Sequence, residues 1–234
     1  KAAMPVVSLP AACLCASSQY LAMYSVYFYG VPASKLVPVA SKFLGRFLFL
    51  TYQSNLFLTG YYTASVAAHL ASLPGLDRIL ITLHPLAFGL GTFLTAAYYA
   101  LDHFNPEQIA RRDHFTENGY PYIKLDAHLE HGLAAPFVVL FTLNLLPTPF
   151  SPTTLNVYRT VGGYLTYYIA QTHINRYATG EWPYPFIDDV EAAAGWVART
   201  AMFAGLTGIF VGLGFAGKAM FGYRQSMLRG AKQA

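Results

Sequence analysis

Charge is what this sequence has least of. Only 11% of its 234 residues are Asp, Glu, Lys or Arg, well below the roughly 25% usual in a soluble domain, while 55% are hydrophobic. So little charge argues against a solvated soluble fold and leaves no basic patch for gripping nucleic acid. Cysteine is scarcer still. Cys13 and Cys15, the only two, lie two positions apart in an apolar run, a poor spacing for a bridge and too few ligands for a metal. There is no GxSxG elbow and no phosphate-binding glycine loop. Histidine is present but not clustered: a single HxxH at His128 and His131 lacks the further histidine clusters of membrane di-iron enzymes. His69 and His84 fall too far from His131 along the expected spans to share a haem with it. No cofactor and no metal are expected.

What remains is an all-α membrane protein. A hydrocarbon core about 30 Å thick needs about 20 mostly apolar residues per helix, and six such stretches occur, at about 6–30, 44–71, 76–101, 126–147, 155–178 and 196–222. The breaks carry the expected punctuation: Gly30 to Pro38, Pro74-Gly75, Asn105-Pro106 to Pro121, Pro147 to Pro152, and Trp182 to Pro185. No repeat or second domain is visible, so residues 1–234 read as one transmembrane domain, a six-helix bundle. Gly89, Gly91, Gly205, Gly208, Gly212 and Gly214 suit close helix contacts in lipid.

Six spans put both termini on one face, and all acidic residues except Asp77 on the other. Lys and Arg divide almost evenly, so the positive-inside rule barely orients the chain; the basic tail from Lys218 to Lys232 leans towards termini in the cytosol or matrix.

Polar residues inside spans mark functional sites by default. In the second span, Thr51, Gln53, Ser54 and Asn55 interrupt RFLFLTYQSNLF. The ordinary role for Thr51 is a bond to a backbone carbonyl one turn back. At about 1.5 Å per residue, however, Thr51 lies roughly 10 Å below the start of its span and His131 roughly 8 Å below the start of the fourth. Both helices enter from the same face, so the two side chains reach similar depth. A threonine hydroxyl needs a base to become a nucleophile, and histidine can take that proton and return it; the pair is the minimum for acyl transfer. Asn55 or Ser54 could donate to an oxyanion. His173, Asn175 and Arg176 at the end of span five fit helix-end solvation, and Asp126 and Glu130 fit a polar rim at the mouth of span four, with His128 and His131 on another face.

Three stretches, RFLFLTYQSNLF, DAHLEHGLAAPF and TGEWPYPF, in this order and spacing, resemble the androgen-induced and androgen-dependent TFPI-regulating protein family of multi-pass membrane threonine hydrolases. The resemblance runs from the second span onward. It implies that Thr51 is the nucleophile and His131 the catalytic histidine, that His128, Trp182 and Tyr184 lie near them, and that fatty acid esters of hydroxy fatty acids are cleaved; with Asn55 and His173, read from their places in the spans, these make the expected substrate-binding residues. Gly180, Trp182, Tyr184, Pro185 and Phe186 match the family's loop before the last span. The chain departs from the family in having Arg176-Tyr177 where members often carry histidines, and Glu130 where they more often carry an uncharged residue.

The expectation is therefore an integral membrane lipid-ester hydrolase in contact with membrane lipids and an acyl-chain substrate. A rival expectation is a non-catalytic accessory subunit of a larger membrane complex, such as a mitochondrial inner-membrane respiratory or ATP synthase assembly, that keeps the hydrolase fold. A first residue Lys1, compatible with a processed organellar protein, is what suggests it. By resemblance the membrane is an endomembrane; under the rival it is the mitochondrial inner membrane.

Overall fold

Helix boundaries follow start and stop chemistry written into the chain. A computed structural model describes residues 5–32, 35, 42–184 and 186–231, which leaves Pro38, Pro185 and Lys232 outside the described residues. Helix α1 (Leu9–Phe28) starts at Ser8 with a proline in its first turn, where a missing N–H costs nothing. A single 3₁₀ turn (Gly45–Leu48) leads into α2 (Leu50–Ala71). This helix stops at Ser72, whose φ of 50° is left-handed. Helix α3 (Pro74–Ala97) again opens on proline and runs into a π-turn, Tyr98–His103.

The polar connection around Asn105 folds into a helix of its own, α4 (Pro106–Glu117), capped where the Asn105 side chain accepts the Glu107 N–H at 3.0 Å. It buries no residue and holds onto the bundle through the ion pair of Arg112 with Asp102. The fourth rod is segmented: α5 (Ile123–Ala127), a π-turn (His128–Gly132) and α6 (Ala134–Leu143). The fifth is α7 (Thr154–Val157), a π-turn (Tyr158–Gly162) and α8 (Gly163–Thr179), begun by a Thr153–Asn156 capping box and ended by Gly180 at φ 76°. The last is α9 (Phe186–Gly230), interrupted at Gly195, one residue before the sixth expected span begins.

The described chain is thus all-helical, with six rods where six apolar stretches were expected. Two of them, Gly75–His103 and Phe186–Gly230, are long and apolar enough to cross a membrane. The others fall short for visible reasons. Polar side chains lower their hydropathy: Gln53, Ser54, Asn55, Ser65 and His69 in α2, Asp126, His128, Glu130 and His131 in the fourth rod, and Arg159, Gln171, His173, Asn175 and Arg176 in the fifth.

Helix α3 is central, packed against α2, α6 and α9, while α1 lies on α2 and α6. The core between them contains Leu58, Tyr62, Ala87, Val138, Phe141 and Phe221. A second cluster around Leu90, Val157, Val161 and Phe210 joins α3 to the fifth and sixth rods. Three glycines serve close contacts as expected: a Cβ on Gly91 would lie 2.9 Å from the Ala134 carbonyl, one on Gly214 2.8 Å from Val161, and one on Gly89 3.3 Å from Phe210. Gly205, Gly208 and Gly212 do not, because their face of α9 has no protein atom within 4 Å of where a Cβ would be. The N-terminal stretch is tied down by an antiparallel bridge, with Ser8 N donating to the Asn144 carbonyl at 3.1 Å and Leu146 N to the Val6 carbonyl at 2.8 Å.

Candidate active site

Thr51 sits in the first turn of α2. The 3₁₀ turn occupies residues 45–48, so the helix begins later than the apolar run, and Thr51 is next to the helix entrance rather than two turns down it. The entrance is held firmly. Phe49 offers no side-chain cap; instead the Tyr184 hydroxyl accepts the Leu50 N–H at 3.1 Å. Tyr168 donates to the Leu48 carbonyl at 3.3 Å, and Gln171 to the Phe47 carbonyl at 2.7 Å. Gln53 joins Gln171 at 2.9 Å and accepts from Tyr164 at 3.1 Å. Helix α8 and the loop after it thereby fix the end of α2.

His131 comes from the π-turn of the fourth rod. A π-turn places residues five apart on one face, so His131 turns towards the face of Asp126 and Ala127. The Asp126 and Glu130 carboxylates are accordingly not rim residues. Asp126 is 5% exposed and accepts from the Ser25 hydroxyl; both carboxylates line, with Arg46, Arg112 and His131, a cavity of about 200 Å³ at the α4 end of the bundle.

The Thr51 Oγ1 and His131 Nε2 atoms lie 3.3 Å apart. His131 Nδ1 lies 2.9 Å from the Ala127 carbonyl, which can only accept. That contact assigns the ring proton to Nδ1 and leaves the Nε2 lone pair facing the threonine. The ring lies flat on Tyr98, centroids 4.7 Å apart and planes 16° apart. Thr51 thus makes a side-chain contact with the fourth rod rather than a bond to its own preceding turn. Among the four N–H groups opening α2, Leu50 is capped by Tyr184 and Gln53 N donates to the Phe49 carbonyl at 3.2 Å. Those of Thr51 and Tyr52 have no intrahelical carbonyl to reach.

The other expected residues separate into three groups. Asn55 is engaged within the protein, donating to the Glu130 carbonyl at 2.9 Å and accepting from Gln19; Ser54 is fully buried with its hydroxyl unpartnered. His128 shares the Tyr98 ring with His131, at 5.8 Å, but its partners are the Tyr99 hydroxyl at 3.3 Å and the His103 ring at 4.9 Å rather than Thr51. His173 and Trp182 pack edge to face at 5.1 Å and share Phe203, with Arg176 and Arg199 flanking the indole. No hydrogen bond or ring contact joins this cluster to Thr51 or His131 among the described residues. Also among the described residues, no group of three or more His, Cys, Asp or Glu is arranged to hold a metal ion.

Gln53, Gln171, Tyr164 and Tyr168, which hold the α2 entrance, carried no signal in the sequence beyond being polar or phenolic in apolar runs.

Fold and site together define a helical bundle with a half-buried threonine–histidine pair between its second and fourth rods. The chain belongs to the FAR-17a/AIG1-like protein family, whose model matches residues 11–221. Neither the curated proteins nor the solved structures gave a match.

Proposed function

We propose that the chain is an integral membrane lipid-ester hydrolase with Thr51 as nucleophile and His131 as general base. The observation that carries this reading is the pairing itself: a threonine hydroxyl 3.3 Å from an imidazole nitrogen whose ring partner is bound by a backbone carbonyl. Such contacts are often long in an unliganded site and shorten around the substrate.

Thr51 Oγ1 loses its proton to His131 Nε2 as it bonds to the ester carbonyl carbon. The negative charge moves to the carbonyl oxygen, where the N–H groups of Thr51 and Tyr52 and the positive end of α2 stabilise it. Collapse breaks the bond to the alkoxy oxygen, which leaves with the proton from His131. Water then attacks the acyl-threonine while His131 takes its proton, and the fatty acid departs as the proton returns to Oγ1. The cavity beside His131 supports the water step. At about 200 Å³ it falls below the roughly 300 Å³ at which small-molecule pockets begin, yet charged side chains line part of it and it has room for several waters.

Supporting the membrane setting are the two helices apolar enough to span and the apolar residues facing outward on α1 and α9, including Leu14, Leu21, Phe28, Val197 and Ile209. In this setting all six rods cross the bilayer and acyl chains enter laterally. The resemblance of the three sequence stretches points to fatty acid esters of hydroxy fatty acids as substrate.

A fluorophosphonate tests the assignment, because Oγ1 displaces its fluoride to form a stable phosphonate ester. Wild-type protein should be labelled, Thr51→Ala should not, and His131→Ala should label at least about a hundredfold more slowly, within the range for a lost general base. Labelling that survives Thr51→Ala sinks the nucleophile. A folded wild-type protein that neither labels nor hydrolyses esters favours the accessory-subunit alternative.

A further inference from the structure

The helix that carries His131 is open at that residue, and a side chain from another helix sits in the opening. In a regular helix the Ala135 N–H would donate to the His131 carbonyl. Here Ala135 N–H donates to Thr95 Oγ1 at 3.0 Å, and the Thr95 hydroxyl donates onward to the His131 carbonyl at 2.6 Å. One residue on, Pro136 has no N–H to close the next bond. The neighbouring Glu130 carbonyl is likewise taken from outside, by Asn55.

Thr95 reaches this backbone because α3 approaches closely. Gly91, one turn before it, leaves no room for a Cβ against the Ala134 carbonyl and Val138. Tyr98, three residues after it on the same face, carries the ring on which His131 lies. Gly91, Thr95 and Tyr98 therefore form one stripe along α3 that meets the fourth rod at its packing contact, its backbone and its imidazole.

We propose that Thr95 is a positioning residue for His131: its hydroxyl holds the helix open at residues 131–135 and so aims Nε2 at Thr51. The inference rests on His131 being the base. A hydroxyl suits the task because one atom both accepts and donates. Replace it with a methyl and two half-buried polar groups lose their partner, which draws Ala135 N–H and the His131 carbonyl to displace the methyl and pair directly. That closure would tighten the turn and rotate the ring away from the nucleophile. Misplacement by about 1 Å is enough to cost about a hundredfold in rate.

The test compares Thr95→Val with Thr95→Ser by fluorophosphonate labelling and ester hydrolysis in detergent micelles. The valine variant should lose ten- to a hundredfold in kcat with KM within twofold of wild type; the serine variant should stay within threefold. Placed on His131→Ala, Thr95→Val should have no further effect. Nitrogen NMR of ¹⁵N-histidine-labelled protein gives a readout independent of activity, because the Nδ1–H pattern of His131 should persist in Thr51→Ala and be lost in Thr95→Val. The proposal is overturned by wild-type rates in Thr95→Val, by equal loss in the serine variant, or by an equal further loss on the His131→Ala background. If Thr95→Val does not fold, Thr95→Ala takes its place under the same criteria. Should Thr51→Ala still label, the hydrolase assignment fails, while the histidine spectrum still decides the role of Thr95.

Discussion

Gly91→Ala adds a single methyl group at the tightest contact between α3 and α6. The new Cβ would stand 2.9 Å from the Ala134 carbonyl oxygen and 3.0 Å from Val138 Cγ1, against about 3.5 Å or more for a relaxed contact. A backbone oxygen cannot swing aside as a side chain can, so the helices must part by roughly half an ångström. Such overpacking costs about 1–3 kcal/mol, and removing a mid-helix glycine returns about 0.5–1 kcal/mol. A net loss of up to about 2.5 kcal/mol, centred on about 1, follows from those two terms. The same shift stretches the Thr95 bond to Ala135 N from 3.0 Å to about the 3.5 Å at which a hydrogen bond fails. Labelling of Thr51 should consequently slow about tenfold, half on a logarithmic scale of the loss for a full ångström. Gly205→Ala is the control, since nothing lies within 4 Å of its Cβ position, and it should melt at or above the wild-type temperature. The assay is thermal unfolding in detergent beside the initial labelling rate. Were Gly91→Ala to melt with Gly205→Ala and label at the wild-type rate, the close contact between α3 and α6 would not be what sets the site.

Tyr184→Phe removes the acceptor of the Leu50 N–H and keeps the ring. It should lower stability by about 1 kcal/mol, as loss of a helix cap does, and slow labelling of Thr51, which the next residue along carries; an unchanged unfolding temperature would count against the capping role. Asn55→Leu leaves both the Glu130 carbonyl and the Gln19 amide without a partner in a buried place, a loss of about 1–3 kcal/mol for each. Its labelling rate should fall even in the fraction that remains folded, and a wild-type rate there would show that the fourth rod holds its shape without α2. Thr51→Ser keeps a hydroxyl at the same position and should retain ester hydrolysis, whereas Thr51→Val should not; activity in the valine variant measured by fatty acid release would refute the chemistry.

The six rods were legible because long apolar runs and proline or glycine breaks are strong local signals, with Ser8 and Thr153 at the N-cap positions where two of those rods begin. Proximity of Thr51 and His131 was legible for a coarser reason: two polar interruptions entered from one face at similar depth. The detail of that argument was wrong, since residues 45–48 form a 3₁₀ turn and α2 begins only at Leu50. Nor could the π-turn at 128–132 be read, so Asp126 and Glu130 were expected in the rim and line a cavity instead. A π-turn differs from an α-turn by one residue and leaves no compositional trace. Thr95 and Gly91 were invisible as partners of His131 and Ala134 because threonine and glycine are commonplace in apolar helices. Their meaning lies in contacts about 40 positions away that no periodicity encodes.

The π-turn before α6 also constrains how this chain can vary in length. Ala134, Val138, Phe141 and Leu145 keep one continuous stripe in the core, while His131, inside the turn, looks elsewhere to meet Thr51. Deleting Gly132 alone would take the extra residue out of the π-turn, and His131 and every side chain before it would then turn by about 100° relative to α6, the step of one residue at 3.6 per turn. The core stripe would survive such a deletion, and the protein would fold with its histidine facing the wrong neighbour. At this point of the chain the number of residues is as much a part of the site as their identity.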